Sequence, residues 1–252
     1  YAVNLEHIYL DGTWERAGGG QIPWPAQRNI DIYAYYPYSG DLSDPTRYLF
    51  AAKADQSTES EYYASDLLWS HHLDVSRQST VPLTFYHRMS RINLNIHASA
   101  AAGELTAETR VILKEVVPAA YLDIETGAVA AASGYAATDI SPYVNAAGFP
   151  GNDLSATAIT APQTIPAGSS LIHIIHRGFT YEYITVTDIT FASGSSVTFD
   201  ITLTSQGIEV TVTGIDDWGE GPVYQGSIGD RAPRVADISA INWSESYVHY
   251  IY

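Results

Sequence analysis

Histidines, paired acids, two lysines and a tyrosine run are the residues of this chain best suited to chemistry, and their spacing speaks against most of it. His71 and His72 are neighbours, whereas His173 and His176 are three apart. On a strand the two members of either pair point to opposite faces. Neither pair has a third ligand at a recognisable spacing and no HExxH is present, so no metal is expected. Asp216 and Asp217 beside Trp218, and Glu59 and Glu61 near Tyr62 and Tyr63, are pairs of the kind a glycosidase uses. Adjacent acids at a strand end more often form a solvated turn. There is no GxSxG, no P-loop and no GxGxxG ahead of a helix, so no catalytic or cofactor-binding residue is assigned. The only lysines, Lys53 and Lys114, lack the context for an internal Lys–Asn isopeptide bond. His87, with Arg88 and Arg91, is expected to hydrogen-bond backbone groups at a strand irregularity.

The elements that must position these residues are strands. Val197, Phe199, Ile201 and Leu203 alternate with Thr198, Asp200, Thr202 and Thr204, and Ile208, Val210 and Val212 alternate with Glu209, Thr211 and Thr213. A short Gly207-containing connection joins the two runs, which predicts a hairpin with one buried face. Between Val81 and His97 the pattern slips: Leu83, Phe85, His87 and Met89 share odd parity, whereas Ile92, Leu94 and Ile96 share even parity. A slip of one residue exchanges the two faces, so a bulge or a crossing between sheets is expected near Ser90-Arg91. Further strands are expected at Asn4 to Trp14, Ile30 to Tyr36, Thr109 to Lys114, Ala119 to Ile124, Ser155 to Ala161, Leu171 to His176 and Tyr181 to Thr187. A short helix is expected within Ser60 to Trp69.

Composition agrees with a sheet protein. The chain has 252 residues, 46% of them hydrophobic, with 19 Tyr and no Cys. Its length holds one large or two ordinary domains. Without cysteine there are no disulfides, thiol chemistry or Cys-ligated zinc. The 28 acids against 12 bases give a net charge of −16, which repels phosphate backbones, so nucleic acid is set aside as a partner. No apolar run is long enough to span a bilayer. The sequence opens at Tyr1 inside an apparent strand, which suggests that residues once preceded it. Short strands with Gly and Pro turns predict an all-β fold, divided into sandwich domains at 1–134 and 135–252, with 128–134 as the linker.

Several segments carry a family resemblance. They are Gly12-Thr13-Trp14, Trp24-Pro25, the run from Asp31 to Tyr38, Asp66-Leu67-Leu68-Trp69 and the run from Phe85 to Ile92. Ala161 to Pro166 and Ile215 to Gly219 follow in order. Together they cover most of 12–221, and the chain resembles fimbrillin-like proteins, the Mfa-like and FimA-like pilins of Gram-negative anaerobes. The resemblance implies two transthyretin-like antiparallel β-sandwich domains in an exported lipoprotein precursor, found in fimbriae at the outer membrane. It also implies assembly with other fimbrial subunits by β-strand exchange, often after a trypsin-like protease removes the first strand. Membrane contact would come only through a lipid anchor, which this stretch of sequence does not contain.

On that reading two sites stand out. The segment carrying Val235, Ile238, Ile241, Trp243, Val248, Tyr250 and Ile251 is the candidate donor strand, the competing expectation being that it completes the second sandwich of its own chain. Arg16, followed by Ala17 and three glycines, is the candidate processing site, unless those glycines simply turn a hairpin between strands bearing Trp14 and Trp24. The alternative function is a surface polysaccharide-binding protein, with Tyr33, Tyr35, Tyr36 and Tyr38 offering ring faces to sugars.

Overall fold

A computed structural model describes residues 3–10, 13–19, 24–25, 28–78, 80–145, 150–218, 220–227 and 247–251. The strands are β1 (Val3–Leu10), β2 (Thr13–Arg16), β3 (Ile30–Tyr36) and β4 (Tyr48–Ala51), then, after helix α1 (Glu59–Tyr63), β5 (Leu68–Val75), β6 (Thr80–His87) and β7 (Ser90–Ala98). Next come β8 (Arg110–Val116), β9 (Ala119–Leu122), β10 (Val129–Ala131), β11 (Thr138–Ile140), β12 (Tyr143–Val144), β13 (Asp153–Thr160) and β14 (Gln163–Ile165). The remainder are β15 (Ser170–His176), β16 (Phe179–Ile184), β17 (Ile189–Phe191), β18 (Ser195–Thr204), β19 (Gly207–Asp217), β20 (Glu220–Ser227) and β21 (Tyr247–Ile251). The fold is all-β, as the periodicity requires.

Four of the sheets form two layered pairs. A seven-stranded sheet, in the order β2-β1-β21-β3-β5-β6-β20, packs one face against the three-stranded sheet β10-β9-β4. Tyr33, Tyr35 and Trp69 from the large sheet meet Tyr48, Phe50 and Leu122 there. The other face of the large sheet buries Leu5, Ile30, Ile32, Ala34, Leu83 and Phe85, with Trp14 and Trp24 against them. The sheet curls until β2 approaches β20, which lets one sheet cover its own inner face. The second pair sets β11-β8-β15-β16 on β12-β13-β7-β18-β19. Leu94, Ile96, Leu113, Ile174, Phe199 and Leu203 fill the space between, and the small sheet β14-β17 closes one end.

The expected hairpin is β18 with β19, paired from Ser195↔Asp217 to Thr204↔Gly207. The parity slip is a crossing between sheets: β6 lies in the seven-stranded sheet and β7 in the five-stranded one. Arg88 N–H donates to Leu67 O at 2.8 Å and Gly194 N–H donates to Met89 O at 3.0 Å, so the crossing is tied to both sides. Gly194 has φ +70, and a Cβ there would lie 3.0 Å from His87 O.

Hydrogen bonding does not divide at 134. β7 and β8 pair with β13, β18 and β15, whereas β20 and β21 pair with strands of the first segment. The expected linker contains β10, which pairs with β9. Alanine-rich sequence hides that strand because its side chains leave little period-2 signal. The expected short helix is α1, which begins one residue earlier, at Glu59, and Leu68 and Trp69 already belong to β5.

Candidate functional site: a strand position filled from far along the chain

The seven-stranded sheet holds an unusual guest. β21 sits between β1 and β3, antiparallel to both. Its register runs Glu6↔Val248 and Asn4↔Tyr250 on one side, and Tyr35↔Val248 and Tyr33↔Tyr250 on the other. β1 and β3 are therefore parallel to each other and share no ladder of their own. Were β21 to leave, they would face each other across a gap of about 9–10 Å, two strand spacings, each with a row of unpaired N–H and C=O groups.

The walls of this slot are built by alternation. Ile30, Ile32 and Ala34 of β3, with Leu5 of β1, are buried on one face, and Tyr33 and Tyr35 are buried on the other. A polar strap crosses the slot on the tyrosine side. The Tyr35 hydroxyl donates to Asn4 Oδ1 at 3.1 Å, and Asn4 Nδ2 donates to Ser39 O at 2.9 Å. Burial raises the Tyr35 pKa far above its usual value and pushes Tyr48, whose ring tilts against it at 4.8 Å, up to about 12. His7 of β1 lies opposite Tyr247 and Arg16, and is buried. Burial lowers its pKa, opposed by a bond to the Leu5 carbonyl.

Of the candidate donor residues, Val248, Tyr250 and Ile251 lie in β21, and Val235, Ile238, Ile241 and Trp243 lie outside the described residues. The expectation that this segment completes the second sandwich is corrected in its place of pairing. β19 ends at Asp217, the chain crosses to the other sheet as β20, and β21 enters the first sheet. Arg16 is the last residue of β2, the end strand of that sheet, and is half-exposed. Exposed Gly18 and Gly19 follow with φ of +78 and +77, and Ala17 N–H donates to Glu6 O at 2.8 Å. Trp24 lies outside any strand and packs against the inner face of the large sheet.

The other chemistry-bearing residues are dispersed. His71 is exposed and stacks on Trp69 at 4.7 Å, while His72 meets Pro82 O at 3.3 Å. His176 is buried between Thr109 and the Ala102 carbonyl. Asp216, Asp217 and Glu59 are exposed, and Glu61 sits 3.9 Å from Lys53. Lys114 is paired with Asp139, and that contact holds the Asp139 carboxyl below its usual range. His87 does sit at the sheet crossing, but its partner is a carboxylate: Nδ1 lies 2.8 Å from Asp66 Oδ2, and its ring lies flat on Trp218. Among the described residues no three His, Asp or Glu side chains converge to hold a metal ion.

One constellation was not legible in the sequence. Ser170, His173 and Glu182 meet on adjoining strands, with Ser170 Oγ 2.9 Å from His173 Nε2 and donating to Glu182 Oε1 at 2.5 Å. Glu182 also approaches that same Nε2, at 3.4 Å. A hydrolytic triad needs the acid on the other ring nitrogen, so that the imidazole is oriented and still free to take the serine proton. Here the carboxylate accepts the hydroxyl's hydrogen bond itself, which makes a surface network. Only strand register brings Glu182 opposite His173. The tyrosine run offers no platform for sugars either: Tyr33, Tyr35 and Tyr36 are buried and Tyr38 is partly buried.

Fold and site thus define a layered β-sheet protein whose most specialised feature is a sheet position occupied by a remote strand. Residues 1–218 match the model of the fimbrillin-like family, and the chain belongs to that family. A search of curated proteins gives no match. Among solved structures, it is similar to one from Bacteroides ovatus described as a candidate cell adhesion protein, at 20% identity and TM-score 0.66, covering 81% of this chain and 75% of that one. A second, of the same description and from Bacteroides uniformis, is 22% identical with TM-score 0.60, covering 82% of this chain and 79% of its own. A third is the tip fimbrial protein Mfa3 of Porphyromonas gingivalis, 10% identical with TM-score 0.49 over 86% of this chain and 93% of that one. At such identities the likeness is one of fold. No helix among the described residues is long and apolar enough to cross a membrane.

Proposed function

We propose that this chain is a non-enzymatic fimbrial subunit or adhesin of the cell surface that polymerises by strand exchange, β21 of one copy entering the slot between β1 and β3 of the next. Membership of the fimbrillin-like family supports the fimbrial role. The observation that carries the mechanism is the position of β21, which makes main-chain ladders to both neighbours from more than two hundred residues away in sequence. A strand so placed brings hydrogen bonds on two edges and side-chain pockets on two faces, the combination that strand addition uses. Donor and slot are different surfaces, so the contact is heterologous and propagates as a filament. The transthyretin-like organisation, the exported lipoprotein precursor and processing at Arg16 belong to the same proposal. Cleavage there would cut the link between the β1–β2 hairpin and β3, and loss of the hairpin would leave β3 alone to receive β21, so the test below uses chains that keep β1.

The test uses the absence of cysteine. Glu6→Cys and Val248→Cys stand opposite each other in the β1–β21 register. With one substitution in each of two chains, mixing and assembly should give a disulfide between copies. With both in one chain, oxidation should lock β21 at home and stop polymerisation until reductant is added. Filaments in which the mixed chains never cross-link would sink the proposal.

A further inference from the structure

We infer that Trp218 is the fixed root of an exchangeable arm that carries β20 and β21, and that its stack with His87 and Arg91 stops arm opening from spreading into the second sandwich. The inference rests on the strand-exchange reading and specifies which part of the chain moves.

Three elements grip Trp218. Its N–H donates to Gly194 O at 2.8 Å, at the turn leading into β18. Its ring lies on the His87 imidazole with centroids 4.1 Å apart and 7° between planes. The Arg91 guanidinium carbon stands 5.1 Å from the ring centroid. His87 is in turn held by Asp66, both side chains being largely buried. Arg91 lies on β7, which is paired on both sides, to β13 and to β18. These contacts join the end of β6, the start of β7 and the end of β19, so the two crossings between sheets are clamped side by side.

Past Trp218 the surroundings change. Among the described residues β20 pairs with β6 alone, at the end of the large sheet, and β21 fills the slot. The family match also stops at residue 218, the residue that these contacts grip. A strand leaves a sheet by unzipping from an end. Opening that begins at β21 and continues through β20 arrives at Trp218, where the next step must break the stack, the Gly194 bond and the Ser195↔Asp217 pair together. A ring stack and a cation over a ring each oppose local opening, together by a factor on the order of tenfold or more.

Hydrogen exchange of the full chain, read by mass spectrometry before and after assembly, tests this. Amides of 223–227 and 248–251 should exchange through a common opening, whereas 195–197 and 215–217 should stay protected in both states. Trp218→Ala should speed exchange of 215–217 by about tenfold with β13 unaffected, and Trp218→Phe should restore most of the protection. Wild-type exchange that runs through residue 218 without a step, or protection of 215–217 indifferent to Trp218→Ala, would overturn the inference. A step at 218 in a chain that never cross-links between copies would leave the root in place and remove the exchange of the arm.

Discussion

Gln56 and the peptide of Ile159, 103 residues apart, form a reciprocal pair. The Gln56 side-chain amide donates to Ile159 O at 2.7 Å and accepts from Ile159 N–H at 2.8 Å. β12 covers the edge of β13 only as far as Thr157 and Ala156, and the carboxamide takes over as a one-residue strand. It also donates to Lys53 O at 2.9 Å and is wholly buried. Gln56→Leu leaves buried peptide groups without partners and should cost about 3 kcal/mol, read as a lower urea midpoint at unchanged m-value. Gln56→Glu keeps one acceptor but loses both donated bonds and buries a charge, so it should cost more than Leu. A Glu variant as stable as wild type would contradict this role.

Gly127 makes a second test of packing between the layers. Its φ is +71, and a Cβ there would lie 2.7 Å from the Trp69 ring. That ring cannot retreat, since its Nε1–H donates to Ile124 O at 2.8 Å and the Arg88 guanidinium carbon stands 4.5 Å from its centroid. Gly127→Ala should therefore destabilise by about 3 kcal/mol. Gly168→Ala is the control: φ is +85 but nothing lies within 4 Å of the added carbon. Backbone strain alone should cost about 1 kcal/mol there. Equal losses at the two sites would show that the ring contact contributes nothing.

These contacts also show what the sequence could and could not disclose. β3 has the expected bounds, Ile30 and Tyr36, and the β18–β19 hairpin follows from its two period-2 runs. The odd-to-even slip around Ser90 reports a change of sheet, because core-facing side chains keep parity only within one sheet. Such signals are local. The place of β21, the bond from Gln56 to Ile159 and the Ser170–His173–Glu182 network depend on which distant strands become neighbours. No short-range period encodes that choice. The tyrosine run was ambiguous because both faces of the large sheet are covered, so Tyr33 and Tyr35 are buried on one side and Tyr36 on the other.

Arg16 should report whether β21 is seated. β1 is held by β2 on one side and β21 on the other, and among the described residues β2 is an end strand with no other partner in the sheet. Removing residues 247–251 takes away the ladder that joins the β1–β2 hairpin to β3, leaving it held by the Leu5 and Trp14 contacts and the Asn4 bonds, and a two-stranded hairpin is marginal by itself. Trypsin cleavage after Arg16 should then speed up by about tenfold or more, because cleavage follows local opening. The new N-terminus beginning Ala17-Gly18-Gly19 identifies the cut. Equal rates in the two chains would mean that β21 does not hold the hairpin down.

Stability should fall on both sides of neutrality for separate reasons. His7 has a lowered pKa through burial, so the folded state favours the neutral ring. Its contribution is intact above the unfolded value of about 6.5 and is lost as pH drops from there toward the folded value. Tyr35 and Tyr48 are raised by burial, Tyr48 to about 12, so both stay protonated in the fold when an unfolded tyrosine would ionise. Their contribution is intact below pH of about 10 and disappears as pH climbs through the folded values. Thermal midpoints should thus decline below about pH 6.5 and above about pH 10. His7→Gln should flatten part of the acid limb and leave the alkaline limb untouched. Tyr48→Phe should flatten part of the alkaline limb alone, since it removes the ionisable hydroxyl and keeps the ring against Tyr35. If His7→Gln leaves the slope between pH 5 and 6.5 unchanged, the buried imidazole beside the β21 position is not what senses acid.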